Sequence, residues 1–218
     1  GATSGDDRGL PVFIWVHGGA GISGAGSDPL FDGRRLASRG MMVVTLNYRL
    51  GALGFLAHPA LSADDPRGTS GNYALLDIVR ALEWVRANAP AFGGDPDRVT
   101  LAGQSSGASL IELLMVAPTA RGLFHRVVSQ SATWLQPPRL RNDAGARVRD
   151  DAAGADPGDR DPGSSTAETA GVRFMEALGL SAGADADALR AVDADSLVAA
   201  VPHAGDHAPT TPVVDGRV

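Results

Sequence analysis

Three short stretches are apolar nearly throughout: residues 11–16 (Pro-Val-Phe-Ile-Trp-Val), 41–47 and 99–102. Unbroken runs of this length, without alternation, suit strands buried on both faces of a parallel sheet. Residues 126–131, Arg-Val-Val-Ser-Gln-Ser, read as a fourth strand. Between the second and third runs the pattern changes period. Leu75, Leu76, Val79, Leu82 and Val85 fall on one helical stripe within residues 72–88. Pro90 and residues 92–96, Phe-Gly-Gly-Asp-Pro, then turn the chain back. A second, more apolar helix is expected from about Ser106 to the proline at 118, and a short one over residues 32–38. Residues 48–55 lead out of the second strand, and residues 58–71, rich in Pro, Asp and Gly, read as a loop. Strand, glycine loop, strand, helix, strand, helix, strand is the order of an α/β domain with right-handed crossovers.

Beyond residue 138 the pattern weakens. Between Arg139 and Asp161 there are five Arg and six Asp among Gly, Ala and Pro. Residues 139–167 are therefore expected to form a flexible surface insertion. Helical spacing returns over residues 168–178 and 187–192, and Asp195 is placed to cap a last short helix over residues 196–200. The chain divides into a core, residues 1–138, that insertion, and a helical segment with its tail, residues 168–218.

Composition narrows the function more than the fold. The 218 residues suffice for one good core, and the 44% of hydrophobic positions are too interspersed for a membrane span. Net charge is −6 with no basic block, which gives nucleic acid no footing. Cysteine is absent, excluding disulfides and thiolate metal sites. No cofactor or metal is implied. All 19 basic residues are Arg. Residue 1 opens no signal peptide, and the missing Met suggests a start further upstream. Cytoplasmic and secreted bacterial locations both stay open, as does the oligomeric state.

Candidate chemistry sits where two strands end. The first expected strand runs straight into His17-Gly18-Gly19-Ala20-Gly21, a glycine density that lets the backbone itself approach a ligand. The third ends in Gly103-Gln104-Ser105-Ser106-Gly107, which fits Gly-x-Ser-x-Gly between strand and helix. That spacing resembles the nucleophile elbow of the α/β-hydrolase fold. A serine forced onto so sharp a turn lifts its hydroxyl above the sheet. The helix behind it aims a partly positive N-terminus at the place where negative charge develops.

Eight runs in order extend the likeness. They are residues 11–19, 47–56, 71–77, 81–85, 92–96, 99–105, 122–126 and 129–131, with a weaker echo at 211–216 (Thr-Pro-Val-Val-Asp-Gly). Together they resemble the central part of a type-B carboxylesterase, the group that includes the cholinesterases. The resemblance implies an α/β-hydrolase fold: a central parallel sheet with helices on both faces, here incomplete at both ends. It implies a serine hydrolase of small-molecule carboxylic esters with Ser105 as nucleophile. The backbone N–H groups of Gly19, Ala20 and Ser106 would form the oxyanion hole. The family usually has Gly at 20, Glu at 104 and Ala at 106; Ala20 narrows the approach, and Gln104 removes a negative charge, favouring uncharged esters over cationic ones. By the same resemblance Arg49 and Asp77 form a structural ion pair, buried and so costly to break, and Asn72, Asp95, His125 and His17 are structural. Trp134 is a candidate for the acyl side of the pocket.

A serine hydroxyl needs a histidine to take its proton and a carboxylate to orient that histidine. In this fold both follow later strands. Only His203 and His207 come after the fourth strand, and Asp206-His207 lacks a strand-bounded loop of its own. The acid and base are expected outside this chain segment. The alternative is a truncated homologue, or a cholinesterase-like binding or adhesion protein that kept the fold without the chemistry.

Overall fold

The computed structural model describes residues 9–132, 140, 166–205 and 208–216. Four parallel strands, β1 (Leu10–Val16), β2 (Met42–Thr45), β3 (Gly94–Gln104) and β4 (Arg126–Gln130), lie in the order β2-β1-β3-β4. Placing the first and third strands side by side at the centre brings their C-terminal ends together, and with them the glycine loop and the serine turn. Val12, Ile14 and Val16 of β1 and Val99 and Leu101 of β3 are fully buried in the main core. Against them pack α4 (Tyr73–Asn88) and α5 (Ser106–Val116). The buried residues of α4 include Leu75, Ile78, Val79, Leu82 and Val85, whereas Leu76 is only half-buried. At 100° per residue, position 76 turns off the stripe that 75, 78, 79, 82 and 85 share. On the other face of the sheet Trp15 meets Phe31 of the short 3₁₀ turn Pro29–Phe31, and α1 (Arg34–Ala37) leans on β2.

β3 begins earlier than the apolar run suggests. Its first residues pair with Leu10 and Pro11, the chain between Asp95 and Val99 loops out, and pairing resumes at Val12↔Val99. Asp95 Oδ1 accepts from Asp97 N (2.9 Å), which holds that excursion. His125 Nδ1 accepts from Val99 N (3.2 Å) and its own N–H donates to Val99 O, so both residues do structural work.

The expected loop over residues 58–71 contains a helix, α3 (Pro59–Asp64). Pro59 supplies the first helical residue, and the His58 ring accepts from Ala60 N (3.1 Å) as the cap. Before it α2 (Gly51–Phe55) forms on residues without an amphipathic period, and Ala52, Gly54 and Phe55 are buried. Near the C-terminus, α6 (Ala167–Ala177), α7 (Ala186–Arg190) and α8 (Ala194–Ala200) enclose a second core of Phe174, Met175, Leu189 and Leu197 with Ala52 and Leu56 of α2 and its C-cap. Asp193, not Asp195, caps α8: its carboxylate accepts from Ser196 N (3.0 Å). Most of the expected insertion at 139–167, and Trp134, lie outside the described residues. Leu140, Thr166 and Ala167 of that stretch are buried, and Leu140 is hydrogen-bonded to Val214 and Glu168.

Arg49 and Asp77 do pair, through Nε–Oδ2 (2.8 Å) and Nη2–Oδ1 (2.7 Å), with Arg49 N adding a third bond. The pair is not buried, however: the side chains are 50% and 26% exposed. The stranded-charge cost expected for a buried pair does not apply, and a value nearer that of a surface pair, up to about 1 kcal/mol, is appropriate. Among the described residues no helix is long and apolar enough to cross a membrane.

Candidate active site

Ser105 joins β3 to α5 at φ 54°, ψ −127°, a conformation that glycine takes readily and serine takes only under constraint. The constraint is visible on both sides. Ser105 N donates to Gln130 O (2.9 Å) of β4, and Ser105 O accepts from Ser109 N (3.0 Å) in the first turn of α5. Only two other non-glycine residues among those described have positive φ, Ala20 (56°) and Ser131 (51°). Ala20 is the position where the resembling family has glycine, and its backbone conformation is the physical reason for that preference.

The two strand-end loops are pressed together. A methyl group on Gly18 would come to 2.7 Å from Gln104 O and 3.1 Å from Ser105 Cβ. One on Gly107, the second residue of α5, would overlap the carbonyl oxygens of Val16 and His17. Glycine is therefore required at both places by close approach of backbone to backbone. Gly19 turns the loop, its carbonyl accepting from Ile22 N (2.9 Å) and Ser23 N (3.0 Å). The N–H groups of Gly19, Ala20 and Ser106 donate to no acceptor among the described residues. Ser106 N is one of the open donors at the start of α5.

Ala20, Ser105 and Ser106 face a common pocket of about 160 Å³. Its other walls are Gly21, Phe55, Leu110 and the segment Thr210, Thr211 and Pro212. Gly19, which precedes Ala20 in the loop, is not among the lining residues. Sequence reasoning missed Phe55, Leu110 and Thr210–Pro212. The signals that bore on them were the match over residues 47–56 and the echo at 211–216, which touched the pocket without showing that it did. The C-terminal segment is held in place by Asn72. Its amide donates to Val213 O (2.9 Å) and Asp215 Oδ2 (3.0 Å) and accepts from Val213 N (3.0 Å).

None of the described histidines lines this pocket. His17 is buried, its Nδ1 2.8 Å from Gly18 O and its ring stacked on Tyr48 at 4.5 Å. His58 caps α3, His125 bridges to β3, and His203 lies exposed in the turn after α8. Asp206 and His207 lie outside the described residues.

A parallel sheet that carries a strained serine between its central strand and the following helix, under a glycine loop from the adjacent strand, defines an α/β-hydrolase core. Within that class the chain belongs to the carboxylesterase family, whose model matches residues 2–218. It is 44% identical over 189 residues to the fumonisin B1 esterase of Sphingopyxis macrogoltabida, covering 87% of this chain and 29% of that one. It is 50% identical over 125 residues to the para-nitrobenzyl esterase of Bacillus subtilis (strain 168), covering 57% and 25%. A solved carboxylesterase of Geobacillus stearothermophilus superposes with TM-score 0.78 at 35% identity, covering 100% of this chain and 42% of that one. Juvenile hormone esterase from Manduca sexta, with OTFP covalently attached, gives 0.72 at 29%, covering 96% and 36%. The chain thus spans between a fifth and a third of the length of the curated relatives it matches.

Proposed function

We propose that this chain carries the nucleophile and oxyanion hole of a serine hydrolase acting on carboxylic esters. The observation that carries the reading is Ser105, held at positive φ at the head of α5 and opening on a pocket shared with Ala20 and Ser106. Ser105 Oγ attacks the ester carbonyl, and the N–H groups of Gly19, Ala20 and Ser106 receive the negative oxygen. The alcohol leaves, and water then cleaves the acyl-enzyme. Each such donor is worth about 10²–10³ in kcat. The general base and its carboxylate come from outside the described residues. A pocket of about 160 Å³ with Phe55, Leu110 and Pro212 in its walls has room for one small uncharged group, since a cavity of ~150 Å³ takes up benzene. A binding module that had lost the chemistry would gain nothing from the strained serine, which argues against that alternative.

The test is labelling of the full-length protein with a fluorophosphonate, read by mass spectrometry. One adduct on Ser105, absent from Ser105→Ala, is expected together with ester hydrolysis. A folded full-length protein that takes up no label would overturn the assignment.

A further inference from the structure

We propose that Tyr48 is a positioning residue for the oxyanion hole, a role that rests on the esterase reading above. Tyr48 stands just beyond β2, outside the pocket, and is 5% exposed. Its phenol donates to His17 O at 2.8 Å, and its ring stacks on the His17 imidazole with 17° between the planes. That carbonyl is the one against which Gly107 of α5 is pressed. The Ser106 hydroxyl is also buried beside the phenol: it lies outside strict hydrogen-bond geometry, yet close enough to lower the phenol's pKa in part. Tyr48 thus holds the peptide before the glycine loop, the same peptide on which the start of the nucleophile helix is seated at Gly107.

The geometry assigns the phenol a specific task. The 17–18 peptide leads directly into Gly19 and Ala20, whose positive φ values of 114° and 56° turn the loop over the site. Anchoring its carbonyl sets the plane from which the N–H groups of Gly19 and Ala20 are aimed, relative to that of Ser106. Oxyanion donors act through preorganisation, so a small loss of aim costs rate without costing substrate binding. Burial pushes the Tyr48 pKa up to about 12. The hydroxyl thus stays protonated, and remains a donor, throughout the range in which esters are enzymatically cleaved.

Tyr48→Phe in the full-length protein keeps the ring stack and removes only the donor. Activity is counted per site titrated with fluorophosphonate, so that unfolded molecules do not enter. The expected result is a kcat about 10-fold lower with KM within twofold. Affinity for a trifluoromethyl ketone, whose hemiketal places an oxyanion in the hole, should fall by the same factor as kcat/KM. 4-Aminophenylalanine at position 48 restores an N–H donor and should bring kcat to within threefold of the parent. A kcat per titrated site within twofold in Tyr48→Phe would show a purely structural residue and overturn the proposal. So would an aminophenylalanine variant as slow as the Phe variant, or, if the Phe variant does not fold, one more than threefold slower than the parent. Failure of the esterase reading itself is separable, because the unsubstituted protein would then neither titrate nor turn over.

Discussion

Single residues carry the strain on which the site depends. Ser105 and Ala20 both occupy a backbone region that costs a non-glycine residue about 1–3 kcal/mol, and both line the same pocket. The surrounding contacts that hold them are backbone to backbone, and at Gly107 the helix start is pressed on the carbonyls of Val16 and His17. Gly107→Ala should force α5 away from the ends of β1, destabilising the protein by about 1–3 kcal/mol. The kcat should fall as well, because Ser106 N–H moves with the helix. Denaturant midpoint and kcat measured on one preparation check this, and an alanine variant with both unchanged would mean the helix start has slack that the structure lacks. At this scale the sequence was informative. Ser105 and its flanking glycines were legible because Gly-x-Ser-x-Gly is a local rule, enforced by sterics within five residues. Tyr48 was not, since its partners are the carbonyl and ring of a residue 31 positions earlier, and nothing local marks it.

Among elements, the same division between local and distant causes holds. The strands and α4 and α5 were readable from apolar runs and helical stripes. α2 and α3 were not, because packing of α2 on α8 and of α3 on α7 holds residues whose composition favours a loop. The alteration at α8, from Asp195 to Asp193 as the cap, came from two acidic residues that offer the same signal two positions apart. The least legible element was the extended tail that closes the pocket. Its position is set by Asn72 at the head of α4, through three hydrogen bonds to residues 213–215. Asn72→Ala should leave the N–H and carbonyl of Val213 buried without these partners, at a cost of about 1–3 kcal/mol. Thr210, Thr211 and Pro212 would then loosen, so KM should rise more than kcat falls. Steady-state kinetics on a small uncharged ester measure the split. A variant that loses stability with KM unchanged would show that the tail is held by other contacts.

At the scale of the whole molecule, pH enters through His58. Burial lowers its pKa, with Glu168 opposing in part, and its Nδ1 is already used in accepting from Ala60 N. The native state therefore keeps this imidazole neutral, while the unfolded chain protonates it below about 6.5. Its contribution is complete above that value and is lost as pH falls towards the native pKa. Melting temperature should decline between pH 7 and 5, by about 2–4 °C for each kcal/mol lost. The slope should be shallower in His58→Asn, which keeps a capping oxygen; equal slopes in the two proteins would exclude His58 as the source. One more consequence follows from Asn72 and Val213, which meet across 141 positions of sequence. A contact of such span forms late, since loop closure must come before any reward from the contact. A chain growing from its N-terminus is therefore expected to shape the serine turn while the pocket beside it is still unwalled. The last wall is set only when residues 210–215 have been threaded back to the first turn of α4.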